Sequence, residues 1–116
     1  MDGLLGGKMP RLEKDIQLSI IKYLRRCGYA CGKTKTIGVW DAMRRRYRLD
    51  KYAFVGFPDL TAFIPQLVFI ECKSLTGRQT DEQEEFQAMC ERVGIPYILA
   101  TSVDDVIEGV EEVKVK

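Results

Sequence analysis

Gly56-Phe57-Pro58-Asp59-Leu60-Thr61-Ala62-Phe63-Ile64, then Pro65-Gln66, then Leu67-Val68-Phe69-Ile70-Glu71-Cys72-Lys73, is the stretch from which the rest of this chain can be read. Two short apolar runs, Asp59 to Ile64 and Leu67 to Lys73, flank a tight turn around Pro65, the pattern of a β-hairpin. A three-residue loop, Ile64 to Gln66, places Asp59 directly opposite Glu71, with facing Cβ atoms about 4.5–5.5 Å apart. Side chains alternate faces along a strand, so Lys73 shares the face of Glu71 and Cys72 points the other way. A register slip of one residue would put the two acids on opposite faces.

Such a cluster is costly without a partner. Two carboxylates about 5 Å apart repel by roughly 3 kcal/mol at an effective dielectric near 20, against a total stability of about 5–15 kcal/mol for a small domain. Lys73 offsets part of this. A divalent cation taking one oxygen from each acid would reverse its sign, and oxygen ligands point to Mg²⁺ or Mn²⁺.

The chain has 116 residues, enough for one domain with a real core. Residues 1–10, with Gly3, Gly6 and Gly7, read as a flexible tail, and residues 11–116 as a single domain. The formal net charge of +1 conceals a strong asymmetry: residues 1–52 carry 13 basic and 5 acidic side chains, residues 81–116 carry 3 and 10. A basic N-terminal half suits a polyanion, although an unevenly solvated surface has the same composition.

Histidine is absent, which removes Ser-His-Asp, Cys-His and other histidine-based acid–base chemistry. Cys27, Cys31, Cys72 and Cys90 contain no Cys-x-x-Cys pair, arguing against structural zinc or a disulfide framework. Cys72 and Cys90 sit in apolar segments as reduced core thiols. No run of about 18 apolar residues and no signal-peptide pattern occurs, so the expectation is a soluble, intracellular (cytoplasmic) protein with no membrane partner.

Along the chain, Leu12, Ile16, Ile20, Tyr23, Leu24 and Cys27 recur at helical spacing, predicting a helix over 11–27 that stops at Gly28. Glu13 falls in its first turn, either complementing the helix dipole or reaching the metal site as a third acid. Tyr29 to Thr34 reads as a short strand. Lys33 to Phe54 is rich in cations and rings, including Lys33, Lys35, Trp40, Arg44, Arg45, Arg46, Tyr47, Arg48 and Lys51. Interleaved bases and aromatics suit phosphate contact with stacking, favouring nucleic acid over a plain surface loop. Within it, Asp41 to Arg46 is predicted to form one or two helical turns. Thr80-Asp81-Glu82-Gln83 is a capping box for a helix that carries Phe86, Met89, Cys90 and Val93 on one face and ends at Gly94. Pro96 to Ala100 reads as a buried strand. Ser102, with Asp105 three residues on, caps a last helix with Val103, Val106, Ile107 and Val110 inward. The order α-β-β-β-α-β-α describes an α/β mixed sheet with helices on its faces. The strands 67–73 and 97–100 should be parallel neighbours joined by a crossover helix, with the hairpin central.

Pro58-Asp59, an eleven-residue gap, then Glu71-Cys72-Lys73 resembles the PD-(D/E)XK nuclease motif. With Gly56, Leu60, Gly77, Gln83 and a helix ending at Gly94, the pattern is similar to the virus-type replication-repair nuclease (VRR-Nuc) domain, over most of the chain. The resemblance implies a restriction-endonuclease-like fold and a metal-dependent DNA endonuclease. It implies that Asp59, Glu71 and the backbone carbonyl of Cys72 bind Mg²⁺ or Mn²⁺, and that Lys73 positions or deprotonates the attacking water. It implies further that Gln83 orients Lys73 or the water, and that Glu13 corresponds to the acid on the first helix of the superfamily. One departure concerns the arginine-rich strand such domains often carry: here only the cluster from Lys33 to Arg48 stands in for it. Small stand-alone members resemble dimeric resolvases of four-way DNA junctions, so a homodimer acting on branched DNA is the expectation by analogy. The alternatives are a non-catalytic nucleic-acid-binding subunit that keeps the fold, and a protein-interaction module in which the acids and Lys73 form a structural ion-pair cluster.

Overall fold

The computed structural model describes residues 12–34, 39–48 and 54–115; the tail expected over residues 1–10 lies outside them. The elements run α1 (Glu13–Arg26), β1 (Ala30–Lys33), β2 (Val39–Asp41), β3 (Arg46–Arg48), β4 (Leu60–Phe63), β5 (Leu67–Cys72), α2 (Asp81–Val93), β6 (Tyr97–Ala100) and α3 (Val103–Val115). β1, β4, β5 and β6 form a four-stranded mixed sheet in that spatial order, and β2 and β3 a separate two-stranded ribbon.

The central hairpin has the register that a three-residue turn dictates. Leu60 faces Ile70 and Phe63 faces Leu67, and the Ile64 amide donates to the Gln66 carbonyl at 2.8 Å to close the turn. β1 pairs antiparallel on one side of this hairpin and β6 parallel on the other, so β4 and β5 are the inner strands, as expected. The alternation of β5 then divides the core. Ile70 and Cys72 join Ile16, Ile20 and Leu24 of α1 and Val106 and Val110 of α3 in one apolar layer. Phe69 faces the other way, packing with Phe86 and Cys90 of α2. Three helices therefore cover the two faces of the sheet, α1 and α3 on one and α2 on the other. Among the described residues no helix is long and apolar enough to cross a membrane.

Two expectations need correction. The ribbon adds two strands to the order α-β-β-β-α-β-α, and the segment 41–46 forms its turn rather than helical turns. Asp41 pairs with Arg46 across residues 42–45, and Arg45 sits at φ 52°, outside the right-handed helical region. Four residues are too few to nucleate a helix in isolation, while Val39, Trp40 and Tyr47 favour extended backbone on either side.

α2 is fixed at both ends. Thr80 Oγ1 accepts from the Gln83 amide at 3.1 Å, Gln83 Oε1 accepts from the Thr80 amide at 2.9 Å, and Gly94 closes the helix at φ 83°. Its first turn is also pressed by the loop before β4. Gly56 has φ 77°, and a Cβ there would lie 2.3 Å from the Glu82 carbonyl oxygen and 2.7 Å from the Gln83 nitrogen. Only a residue without a side chain allows this approach, which ties the Gly56-Phe57-Pro58-Asp59 segment to the helix carrying Gln83. Phe57 adds ring contacts to Phe69 at 5.4 Å and Phe86 at 4.9 Å.

Gly56→Ala should therefore destabilise the fold by about 2–4 kcal/mol, combining positive-φ strain with a backbone clash. The thermal midpoint should fall by about 10 °C, read by circular dichroism. An unchanged midpoint would show that the loop does not bear on α2.

Candidate active site

The hairpin register carries Asp59, one residue before β4, to the position opposite Glu71 near the end of β5. Asp59 Oδ2 accepts a hydrogen bond from the Cys72 amide at 2.8 Å, which pins the carboxylate to the neighbouring strand. The loop around it is fixed from the other side, where the Thr34 amide donates to the Asp59 carbonyl at 2.9 Å.

Glu71 is fully buried, the one charged residue in the core among the described residues. Its two oxygens are treated differently. Oε2 accepts from Gln83 Nε2 at 2.9 Å and lies 3.3 Å from the Lys73 ammonium. Oε1 is buried and has no hydrogen-bond partner among the described residues. An unsatisfied buried carboxylate oxygen is expensive, on the order of 1–3 kcal/mol or more. Burial, and then the charge of Asp59, raise the Glu71 pKa to about 7, with Lys73 acting in the opposite direction. In the absence of a cation the pair of acids therefore tends to hold a proton at Glu71.

Gln83 serves two structures at once. Its Oε1 completes the capping box of α2 and its Nε2 donates to Glu71. The capping amide fixes which end of the side chain is oxygen, so the NH₂ end is presented to the carboxylate. The side chain that completes the cap thus also reaches the acids, where its partner is Glu71 rather than Lys73. Lys73 lies on the Glu71 face with its side chain 11% exposed, leaving the ammonium at the rim. Its backbone amide donates to the Ala100 carbonyl at 2.9 Å, continuing the β5–β6 ladder past the last assigned strand residue.

Glu13 approaches from the other face of the sheet. Its Oε2 and Ser74 Oγ each lie 3.1 Å from where a Cβ on Gly77 would stand, so the glycine leaves room for both. Burial raises the Cys72 pKa most, followed by Asp59, Glu71 and Cys31, with the charge of Glu13 the smallest of these contributions. Yet no three His, Cys, Asp or Glu side chains among the described residues converge as a metal-binding group. The geometry is that of two carboxylates, Asp59 and Glu71, with Glu13 at the margin. The reason is the fold: α1 packs on the Ile70 and Cys72 face, whereas the Glu71 side chain points toward α2.

Of the basic residues expected to meet nucleic acid, Lys33 ends β1 and is exposed, and Arg44 and Arg45 are exposed in the ribbon turn. Arg46 and Arg48 belong to β3, and Lys35 and Lys51 lie outside the described residues. The structure adds residues that the sequence did not single out. Gln79 Nε2 donates to Gln87 Oε1 at 3.0 Å and reaches Tyr97 Oη at 3.4 Å. The Tyr97 pKa is raised by burial and then by Glu71, placing that hydroxyl within the field of the site. The four-residue spacing of Gln79, Gln83 and Gln87 was the available signal. All four cysteines are free, with Cys31, Cys72 and Cys90 buried.

Compared with protein-family models, curated proteins and solved structures, the chain matched none.

A metal-free pH titration tests the state of Glu71. The folded chain holds the proton up to about pH 7, the unfolded chain only up to the ordinary range near 4.5. Between these values the native state binds the extra proton, so the contribution to stability is fully present below about pH 4.5 and is lost as pH rises through 7. Glu71→Gln is neutral at every pH. In EDTA it should match the wild-type melting temperature at pH 5 and exceed it by several degrees at pH 8.5. A constant difference across that range would contradict the assignment.

Proposed function

We propose that this protein is a metal-dependent DNA endonuclease, built on a restriction-endonuclease-like version of the mixed α/β fold and related to the VRR-Nuc domains its motif resembles. The observation that carries the reading is the buried Glu71 carboxylate, with one oxygen held by Gln83 and Lys73 and the other unpartnered across from Asp59. A structural ion-pair cluster would be expected to satisfy both oxygens.

The donor set fits Mg²⁺ or Mn²⁺. Both ions take hard oxygen ligands, and the free Glu71 Oε1, the Asp59 carboxylate and the Cys72 backbone carbonyl are the groups that would hold one. Such an ion supplies a nucleophile at neutral pH and a counter-charge for the phosphate. The chain supplies the rest. The Cys72 amide fixes Asp59, and the Gln83 amide orients the Glu71 carboxylate. Lys73, with three N–H donors at the rim, is placed to hold the attacking water and a non-bridging phosphate oxygen. Positioning and electrostatics of this kind account for most catalysis at a phosphate. Lys33, Arg44 and Arg45 are exposed cations of the kind that meets a DNA backbone, where binding weakens steeply with salt. Branched DNA as preferred substrate and a homodimer as working unit rest on the family resemblance.

Incubation of the chain with four-way junctions, flaps and linear duplex in Mg²⁺ or Mn²⁺ should give cleavage that EDTA abolishes. Lys73→Ala should lose at least a hundredfold in rate while its DNA affinity changes by less than about threefold. Binding without cleavage at high enzyme concentration would favour the non-catalytic subunit. Full activity in Lys73→Ala would overturn the mechanism.

A further inference from the structure

Beside Gln83 the loop 54–57 and the first turn of α2 line a cleft of about 310 Å³. Its walls include Phe54 and Phe57 on the loop and Thr80, Glu82 and Gln83 on the helix. Gln83 both borders the cleft and donates to Glu71, so one side chain links the cleft to the carboxylate pair. Phe54 is 64% exposed, although its ring is held by Phe57 at a centroid distance of 5.8 Å and edge-on by Phe86 at 5.7 Å. An aromatic ring steadied by two others and still open to solvent is a preformed platform. The loop that carries the platform is braced, because Gly56 lies against the Glu82–Gln83 backbone.

Charge decides what such a platform takes. Among the described residues the only ionisable side chain in the lining is the Glu82 carboxylate, and no described lysine or arginine borders the space. A phosphate is therefore repelled here, whereas a flat, uncharged heterocycle with amino donors is not. Stacking on an aromatic ring accepts every base, since each has a π face.

We propose that this cleft is a nucleobase subsite, in which a base taken out of the stack next to the phosphate at Asp59 and Glu71 lies against the Phe54 ring. The proposal rests on the nuclease reading for the placement of that phosphate. It also gives a physical origin for substrate choice. Removing a base from a stack costs least where it is already unpaired, so the subsite favours junctions, flaps and gaps over uninterrupted duplex.

The test uses the full chain in EDTA with junction and duplex DNA carrying 2-aminopurine at successive single positions. Fluorescence should rise on binding at one position near the branch, as that base leaves its neighbours. Phe54→Leu keeps an apolar side chain against Phe57 and Phe86 but has no π face. It should abolish the rise and bring junction affinity down about tenfold, toward that for linear duplex, and Phe54→Trp should restore both. No rise at any position, or wild-type behaviour in Phe54→Leu, overturns the subsite. The two readings fail separately. A Phe54-dependent rise in a chain that never cleaves DNA with Mg²⁺ supports the subsite and removes the nuclease. Cleavage whose junction preference ignores Phe54 does the reverse.

Discussion

Burying a carboxylate on both sides in protein is the constraint to which the rest of this structure answers. Glu71 has no solvent exposure, and an isolated charge in that position would cost several kcal/mol. Lys73 and Gln83 compensate at one oxygen only. Gln83 can do so because the capping box holds its amide, and α2 stays where it is because Gly56 lets the preceding loop lie against its first turn. The segment Gly56 to Asp59 therefore does two jobs through one backbone path: it delivers Asp59 and it braces the helix that orients Glu71. Those interactions converge on a site whose remaining imbalance is one unpartnered oxygen beside a second acid.

Much of this was legible in the sequence because it depends on short-range geometry. A three-residue turn fixes a hairpin register, and the register alone placed Asp59 opposite Glu71. Likewise Thr80 and Gln83, three residues apart, specify a helix start whatever packs around it. The face assignment of Glu71, Cys72 and Lys73 followed from strand alternation, and the burial of Cys72 with α1 and α3 agrees with it.

What escaped was governed by contacts between segments distant in sequence. Nothing local in Gly56 says that its missing Cβ makes room for the Glu82 carbonyl. The side of the sheet that α1 would cover decided that Glu13 stays at the margin, and helical periodicity cannot give that side. The ribbon of β2 and β3 was obscured by its composition: cationic side chains masked the extended pattern of Val39 to Asp41 and Arg46 to Arg48, and Ala42 to Arg45 resembles a helical turn in propensity. Phe54 looked like one ring among several in a basic stretch, and its place beside Gln83 emerges only from the tertiary structure.

The charge asymmetry fits the same architecture. The acidic surplus belongs mainly to α2 and α3, whose outer faces are solvated, while the exposed cations Lys33, Arg44 and Arg45 belong to β1 and the ribbon inserted between β1 and β4. Since Thr34 is bonded to the Asp59 carbonyl, that insertion leaves the sheet at the end where the two acids meet.

Anomalous diffraction from a crystal soaked in Mn²⁺ near pH 8 would show whether Asp59 and the free oxygen of Glu71 grip a divalent cation. One strong peak is expected within coordination distance of Asp59, Glu71 Oε1 and the Cys72 carbonyl oxygen, with Gln83 still on Oε2. A crystal showing no density between the two acids, or with Glu71 turned away from Asp59, would contradict it.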